Sequence, residues 1–328
     1  MPTNLPAEAL EAERRYKQAT SIAEKIACLD EYIGLIPKHK GTDKLRADLR
    51  KRLSKLKSSS QSRKGASTKA SAFHIRKEGA GQVTIVGPTN VGKSALVAAL
   101  TNASPEVSAS PFSTWKPTPG MMPVEDIQIQ LIDTPPLNRD YIESELLNLV
   151  RQADIILLMV DLQAGPIRQL EEAIELLREH RIIPLRLKPQ HADERRMTFI
   201  PVLVLVNKND DEGTDEDFEI LCALLEGDWP LLPISISTGR NLERLKRLLF
   251  ERLEIMRVYS KAPGKEADLT SPFVLKRGST VTDFAQGVHR DFYEKLKTAR
   301  VWGHGVFDGQ LVQRDHVLHD GDVVELRI

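Results

Sequence analysis

Apolar residues recur along this chain with two different periods. Up to residue 57 the spacing is helical. Ile22, Ile26, Leu29 and Ile33 stand at i, i+4, i+7 and i+11, and Leu45, Leu49, Leu53 and Leu56 form a second stripe with basic residues between them. Ser21 and Glu24 fit a capping box ahead of the first stripe, the hydroxyl and the carboxylate each satisfying an orphan backbone donor. Pro37 and Gly41 separate the stripes, so a helical hairpin is expected over 1–57. The stretch SKLKSSSQSRKGASTKAS (54–71) is rich in serine and lysine and poor in apolar side chains. It makes 58–80 a flexible basic linker.

From residue 81 the texture changes. Short apolar runs at Val83–Val86, Ile127–Ile132, Ile155–Val160, Val202–Val206 and Leu231–Ile236 alternate with helical stretches near 93–102, 141–152, 167–180, 215–226 and 241–257. Strand alternating with helix predicts an α/β domain over 81–260, a doubly wound and largely parallel sheet covered on both faces. After 261 come Pro263, Gly264 and Pro272, then a strand at 273–276, a helix at 281–296 and a strand at 322–327. This last piece, 261–328, is a small interaction domain.

Composition excludes several classes. At 41% apolar and 28% charged the chain is ordinarily globular. No apolar run approaches the roughly 18–20 residues a membrane span needs, and Ile155–Val160 is flanked by Asp154 and Asp161. The N-terminal residues have no signal-peptide core, and Cys28 and Cys222 are too few for a disulfide framework or a zinc site. A cytoplasmic protein without a membrane partner is expected. The formal net charge of zero is a cancellation: residues 1–80 carry +9, residues 81–260 carry −9, and 261–328 are neutral. Neutrality therefore excludes a uniformly basic surface and leaves a local one in place.

Gly87-Pro88-Thr89-Asn90-Val91-Gly92-Lys93-Ser94 matches the phosphate loop G-x-x-x-x-G-K-[ST], between an apolar strand and a helix. Glycines let the backbone N–H groups cradle phosphates, Lys93 brings a point charge to the β/γ oxygens, and Ser94 offers a hydroxyl to Mg²⁺. The loop alone does not choose the base. Asn207-Lys208-Asn209-Asp210 follows the strand VLVLV, and a carboxylate at Asp210 accepts from both N1–H and the 2-amino group of guanine. By itself this tetrapeptide is as readily a polar surface turn; the phosphate loop upstream decides for GTP and GDP. Lys208 is expected along the base plane and Asn207 as a brace. Ser235 and Ile236 stand where a last loop offers a backbone N–H to the base oxygen. Asp133 ends the strand IQIQLI and is placed to hold Mg²⁺ through water. Thr114, in Pro111-Phe112-Ser113-Thr114, is the choice for the hydroxyl that reaches Mg²⁺ and the γ-phosphate, with Thr118 its rival. Lys93 and Thr114 are the catalytic candidates, and no general base is evident.

GPTNVGKS, PFSTWKPTPG, DTPP, NKND and SISTG, in this order, resemble the Obg-type translation-factor class of P-loop GTPases. The tail, with LTSPFVLKRGSTV, ARVWG and HDGDVVELRI, is similar to a TGS domain, a small β-grasp module, and narrows the resemblance to the Drg (developmentally regulated GTP-binding protein) branch. The larger insertion of that branch is reduced here to 181–199. The resemblance implies slow GTP hydrolysis, a ribosome or structured RNA as partner of the basic N-terminal region and the TGS domain, and at Asn90 a position that helps hold K⁺ in potassium-activated relatives. Asn90 is equally well explained as a turn residue, and the basic stretch as a solvated helix face. Two departures bear on mechanism. Pro136 replaces the glycine of D-x-x-G, whose N–H senses the γ-phosphate, and proline has none. Leu137 stands where many small GTPases carry a water-orienting glutamine. The competing expectation is therefore an adaptor that binds GTP and hydrolyses little or none. Trp302, beside Gly303, is read as core packing ahead of a ligand platform.

Overall fold

The computed structural model describes residues 11–12, 14–16, 22–36, 49, 53, 75–103, 116–137, 142–191 and 196–327. The chain divides into two compact units, 1–72 and 73–328. In the first, α1 (Ile22–Leu35) turns Leu29, Tyr32 and Ile33 into a small core with Ala12, Ile36, Leu49 and Leu53. Ser21, Leu45 and the basic run 54–71 lie outside the described residues.

The second unit opens on a correction. Residues 75–80, expected to be linker, are bound to the sheet that follows. The Arg76 carbonyl accepts from Gln130 Nε2 at 3.0 Å, Lys77 pairs with Asp154 at 2.7 Å, and the Ala80 N–H reaches the Gln128 carbonyl at 2.7 Å. Backbone polar groups that run against a sheet are satisfied there whatever the composition of the segment.

A six-stranded sheet follows. Its elements in chain order are β1 (Gln82–Val86), α2 (Lys93–Leu100), β2 (Thr118–Val124), β3 (Ile127–Asp133), α3 (Ser144–Gln152), β4 (Ile155–Asp161), α4 (Pro166–Glu179), β5 (Ile182–Pro184), β6 (Thr198–Ile200), β7 (Val202–Asn207), α5 (Glu212–Leu224), β8 (Leu231–Pro233) and α6 (Leu242–Arg252). The order is β2-β3-β1-β4-β7-β8. All neighbours are parallel except β2 and β3. Every residue of β1, β4 and β7 is buried, as unbroken apolar runs in a parallel sheet require. Strand β2 was not expected, because Pro119, Gly120 and Pro123 argue against a strand. Its edge position resolves this, since both prolines point to solvent where no ladder donor is missed. The reduced insertion forms a two-stranded parallel pair, β5 and β6, joined through a 3₁₀ turn over Leu185–His191.

The helix expected over 241–257 stops at Arg252, and β9 (Ile255–Lys261) follows. It is joined by β10 (Ala267–Lys276), α7 (Val281–Val288), α8 (Arg290–Lys295), β11 (Thr298–Trp302), β12 (Gln310–Val312) and β13 (Asp322–Arg327) in a five-stranded sheet ordered β10-β9-β13-β11-β12. The last sheet thus begins at Ile255, ahead of the expected boundary at 261. Pleating sends Ile255 into the core of the first sheet and Met256 into that of the second. The helix expected over 281–296 breaks at His289, whose extended backbone (φ −168°) ends α7 and whose Nδ1 caps α8 through the Asp291 N–H at 3.1 Å. Phe284 is fully buried under this sheet, edge-on to Phe273 at 5.3 Å. Phe284→Ala is expected to lower stability by about 3–5 kcal/mol, read as a fall in the urea midpoint while guanine-nucleotide binding survives. Among the described residues no helix is long and apolar enough to cross a membrane.

Arg257 of β9 ties the two sheets. Its guanidinium meets Glu125 and Asp126 in the β2–β3 turn, pairs with Asp320 at 2.7 Å and lies 5.2 Å from the Phe250 ring centroid. The Tyr259 hydroxyl donates to Asp126 at 2.5 Å, and burial with that carboxylate neighbour pushes the phenol pKa up to about 12.

Candidate nucleotide-binding site

In open parallel sheets ligands gather beyond the carboxyl ends of the strands. Three such ends carry polar residues here, Asp133 on β3, Asp161 on β4 and Asn207 on β7, and β1 runs into the loop at Gly87.

The loop 87–94 depends on glycine at two points. Gly87 (φ +150°) lies against β4 so closely that a Cβ would fall 2.3 Å from the Met159 carbonyl oxygen. Gly92 (φ +102°) sits where a Cβ would come 2.7 Å from Asn207 Nδ2. Val91 is buried, Pro88 and Thr89 line the curve, and exposed Asn90 takes the left-handed conformation at φ 62°. That conformation is one asparagine adopts readily in turns. Lys93 opens α2, with its ammonium 3.1 Å from the Gly87 carbonyl and 2.6 Å from that of Pro88. Burial lowers its pKa to about 8 against the opposing attraction of Asp133.

Ser94 Oγ donates to Asp133 Oδ2 at 2.5 Å. The other oxygen of Asp133 is buried with no hydrogen-bond partner, and burial raises the carboxyl pKa against the pull of Ser94 and Lys93. A hydroxyl and a desolvated carboxylate oxygen side by side are hard-oxygen donors of the kind Mg²⁺ takes, so the residues present fit that ion. Thr118 is paired directly with Asp133 in the β2–β3 ladder. Thr114 lies outside the described residues.

The base-side loops converge from β7 and β8. Asn207 Nδ2 donates to the Val91 carbonyl at 2.9 Å, which links the NKND loop to the phosphate loop across 116 residues. Lys208 stands at φ 68°, and its ammonium pairs with Asp161 at the end of β4. Asn209 is buried and bonds Asp215 at 3.0 Å. Asp210 accepts from the Ser235 and Ser237 hydroxyls at 2.5 Å and 2.9 Å, both on Oδ1, and these bonds with Lys208 nearby hold its carboxyl below the usual range. In the last loop, Ser235 meets Asp210 through its side chain. Its N–H donates to the Arg240 carbonyl at 3.1 Å, so its contribution is the hydroxyl. Ile236 is half-buried beside Gly92. Sequence reasoning missed Asp161, Ser237 and Thr134. The first two carried a signal, an acid closing an apolar run and a second serine in Ser-Ile-Ser.

Family comparison agrees with this geometry. Residues 82–208 match the family model described as 50S ribosome-binding GTPase, and 256–328 match the TGS domain. A GTP-binding protein of Methanocaldococcus jannaschii is 30% identical, over 94% of this chain and 93% of its own length. The human developmentally-regulated GTP-binding protein 2 is 23% identical over 93% of this chain and 99% of its own. The chain belongs to the developmentally regulated GTP-binding protein family. As a member it is a GTP-binding P-loop GTPase with a C-terminal TGS domain. The Schizosaccharomyces pombe YchF GTPase shares the fold, with a TM-score of 0.51 at 16% identity over 77% of this chain and 99% of that one. Trp302 of the TGS domain is half-buried, with the Lys261 ammonium 5.2 Å from the ring centroid and Gly309 against the indole, so it packs at the domain surface and is not part of the core.

Proposed function

We propose that this GTPase is a slow molecular switch whose site works by positioning and electrostatics, and that its partner is a ribosome or structured RNA. Lys93 and the N–H groups of 88–94 bind the β- and γ-phosphates, and Ser94 and Asp133 would hold Mg²⁺, with Thr114 its further ligand. Asp210 reads guanine, Lys208 flanks the base, Asn207 braces the phosphate loop, and Ile236 faces it from the last loop. Mg²⁺, when bound, supplies charge neutralisation on the phosphates. The observation that carries this reading is the convergence on one strand-end surface of Ser94–Asp133, Asn207–Val91 and Asp210–Ser235 contacts. Asn90 is the position that would help hold K⁺, and comparing hydrolysis rates in K⁺ and in Na⁺ tests that role.

The RNA partner is supported by the +9 segment over 1–80 and by the description of the matching family model. A second reading, an adaptor that holds GTP without turning it over, is favoured by Pro136 and Leu137, which supply neither a sensing N–H nor a water-orienting amide. Single-turnover hydrolysis of GTP with and without ribosomes separates the two. Stimulation, together with sedimentation that depends on GTP against GDP and weakens with salt, is expected of the switch. Absence of both would establish the adaptor.

A further inference from the structure

The segment after β3 is held at two points on the strand that feeds the phosphate loop. Thr134 is fully buried, and its hydroxyl donates to the Ile85 carbonyl at 2.6 Å. The Leu137 N–H donates to the Gly87 carbonyl at 3.1 Å. Between them Pro135 and Pro136 have no N–H at all. Pro135, Pro136 and Leu137 are therefore without an uncommitted main-chain donor. Switch segments that follow γ-phosphate do so because a backbone or side-chain donor is satisfied by that phosphate and orphaned without it.

We infer that residues 134–137 form a fixed strap, stapled through Thr134 and Leu137 to β1 and Gly87, and that Pro136 is the specificity-determining residue that makes the D-x-x-G segment blind to the γ-phosphate. This rests on the assignment of 87–94 and Asp210 as the GTP site. The strap keeps one conformation with either nucleotide, so discrimination between GTP and GDP falls to Lys93 and to the metal site. A ligand shifts a conformational equilibrium only by its differential contacts with the two states, and this segment offers none.

Restoring a donor tests the inference. Pro136→Ala adds an N–H while keeping a compatible backbone, and Pro136→Gly adds one with more freedom. Affinities for GDP and for a non-hydrolysable GTP analogue are measured by calorimetry with Mg²⁺ on the full chain. A bond to a charged group makes about a tenfold rise in preference for the triphosphate the expected result in either variant, with GDP affinity unchanged as the check on folding. Hydrogen exchange at the Leu137 amide of the unsubstituted protein is expected to be equally slow with both nucleotides. An unchanged preference in both variants, or protection of Leu137 that appears only with the triphosphate, would overturn the strap. Failure of the unsubstituted protein to bind any guanine nucleotide would instead overturn the assignment of the site.

Discussion

Asp210→Ala is expected to weaken GTP and GDP binding roughly 10³-fold and to abolish preference over ATP, because a site built on hydrogen bonds to a base loses its selectivity when the acceptor goes. The carboxylate is prepared for two guanine donors before the base arrives. Ser235 and Ser237 fix one oxygen at 2.5 Å and 2.9 Å, which orients the group and holds its carboxyl below the usual range. Adenine has no donor pair to meet it. Ser235→Ala with Ser237→Ala keeps the charge and loses the orientation, so a smaller loss of about tenfold is expected, in line with the modest net value of individual neutral donors. Calorimetry with GTP, GDP and ATP reads all three variants. Undiminished guanine preference in Asp210→Ala would remove this residue from base recognition.

Loss of the Lys93 ammonium acts on the phosphates. Lys93→Ala is expected to cost about 3–5 kcal/mol of GTP binding, the range for truncating one member of a desolvated charged contact. The intact protein adds a pH signature. Burial lowers the free lysine to about 8, whereas nearby phosphate charge favours the protonated form. Binding is therefore at full strength below pH 8, and above it must take up a proton. Affinity should fall by up to tenfold per pH unit between about 8 and 9, the slope of a single linked proton. Lys93→Arg, charged throughout, should flatten the slope. A pH-independent association constant across this window in the unsubstituted protein would show that the ammonium does not titrate there.

Much of the site was legible because its chemistry is local in sequence. The phosphate loop needs glycine at fixed offsets, and Gly87 and Gly92 occupy positions where a Cβ would strike Met159 and Asn207. The NKND loop follows an unbroken apolar run, the mark of a strand buried on both faces, and the acid Asp133 closes the strand IQIQLI. Legibility failed where a partner comes from another element. Asp161 becomes the counter-ion of Lys208 only because β4 and β7 are neighbours in the sheet, with Asp161 paired to Asn207 in the ladder. The loop at Ser235 and Ile236 was legible as a base-side loop, but that the Ser235 N–H goes to Arg240 and its hydroxyl to Asp210 was not. Strand β2 was hidden by its prolines until its edge position made them harmless.

The sequence by itself determined the nucleotide class, the parallel sheet and the presence of a separate C-terminal module, because each follows from short motifs and from the period of apolar positions. It also determined that Pro136 has no N–H. Only the tertiary structure decided what that absence means. The neighbouring donors of Thr134 and Leu137 are satisfied by β1 and Gly87, some fifty residues earlier in the chain. Likewise, packing alone placed the boundary between the two sheets inside β9, where alternate side chains enter different cores. Periodicity reports which face of an element is apolar; which element covers that face, and which orphan donor it satisfies, are long-range facts set when the sheets assemble.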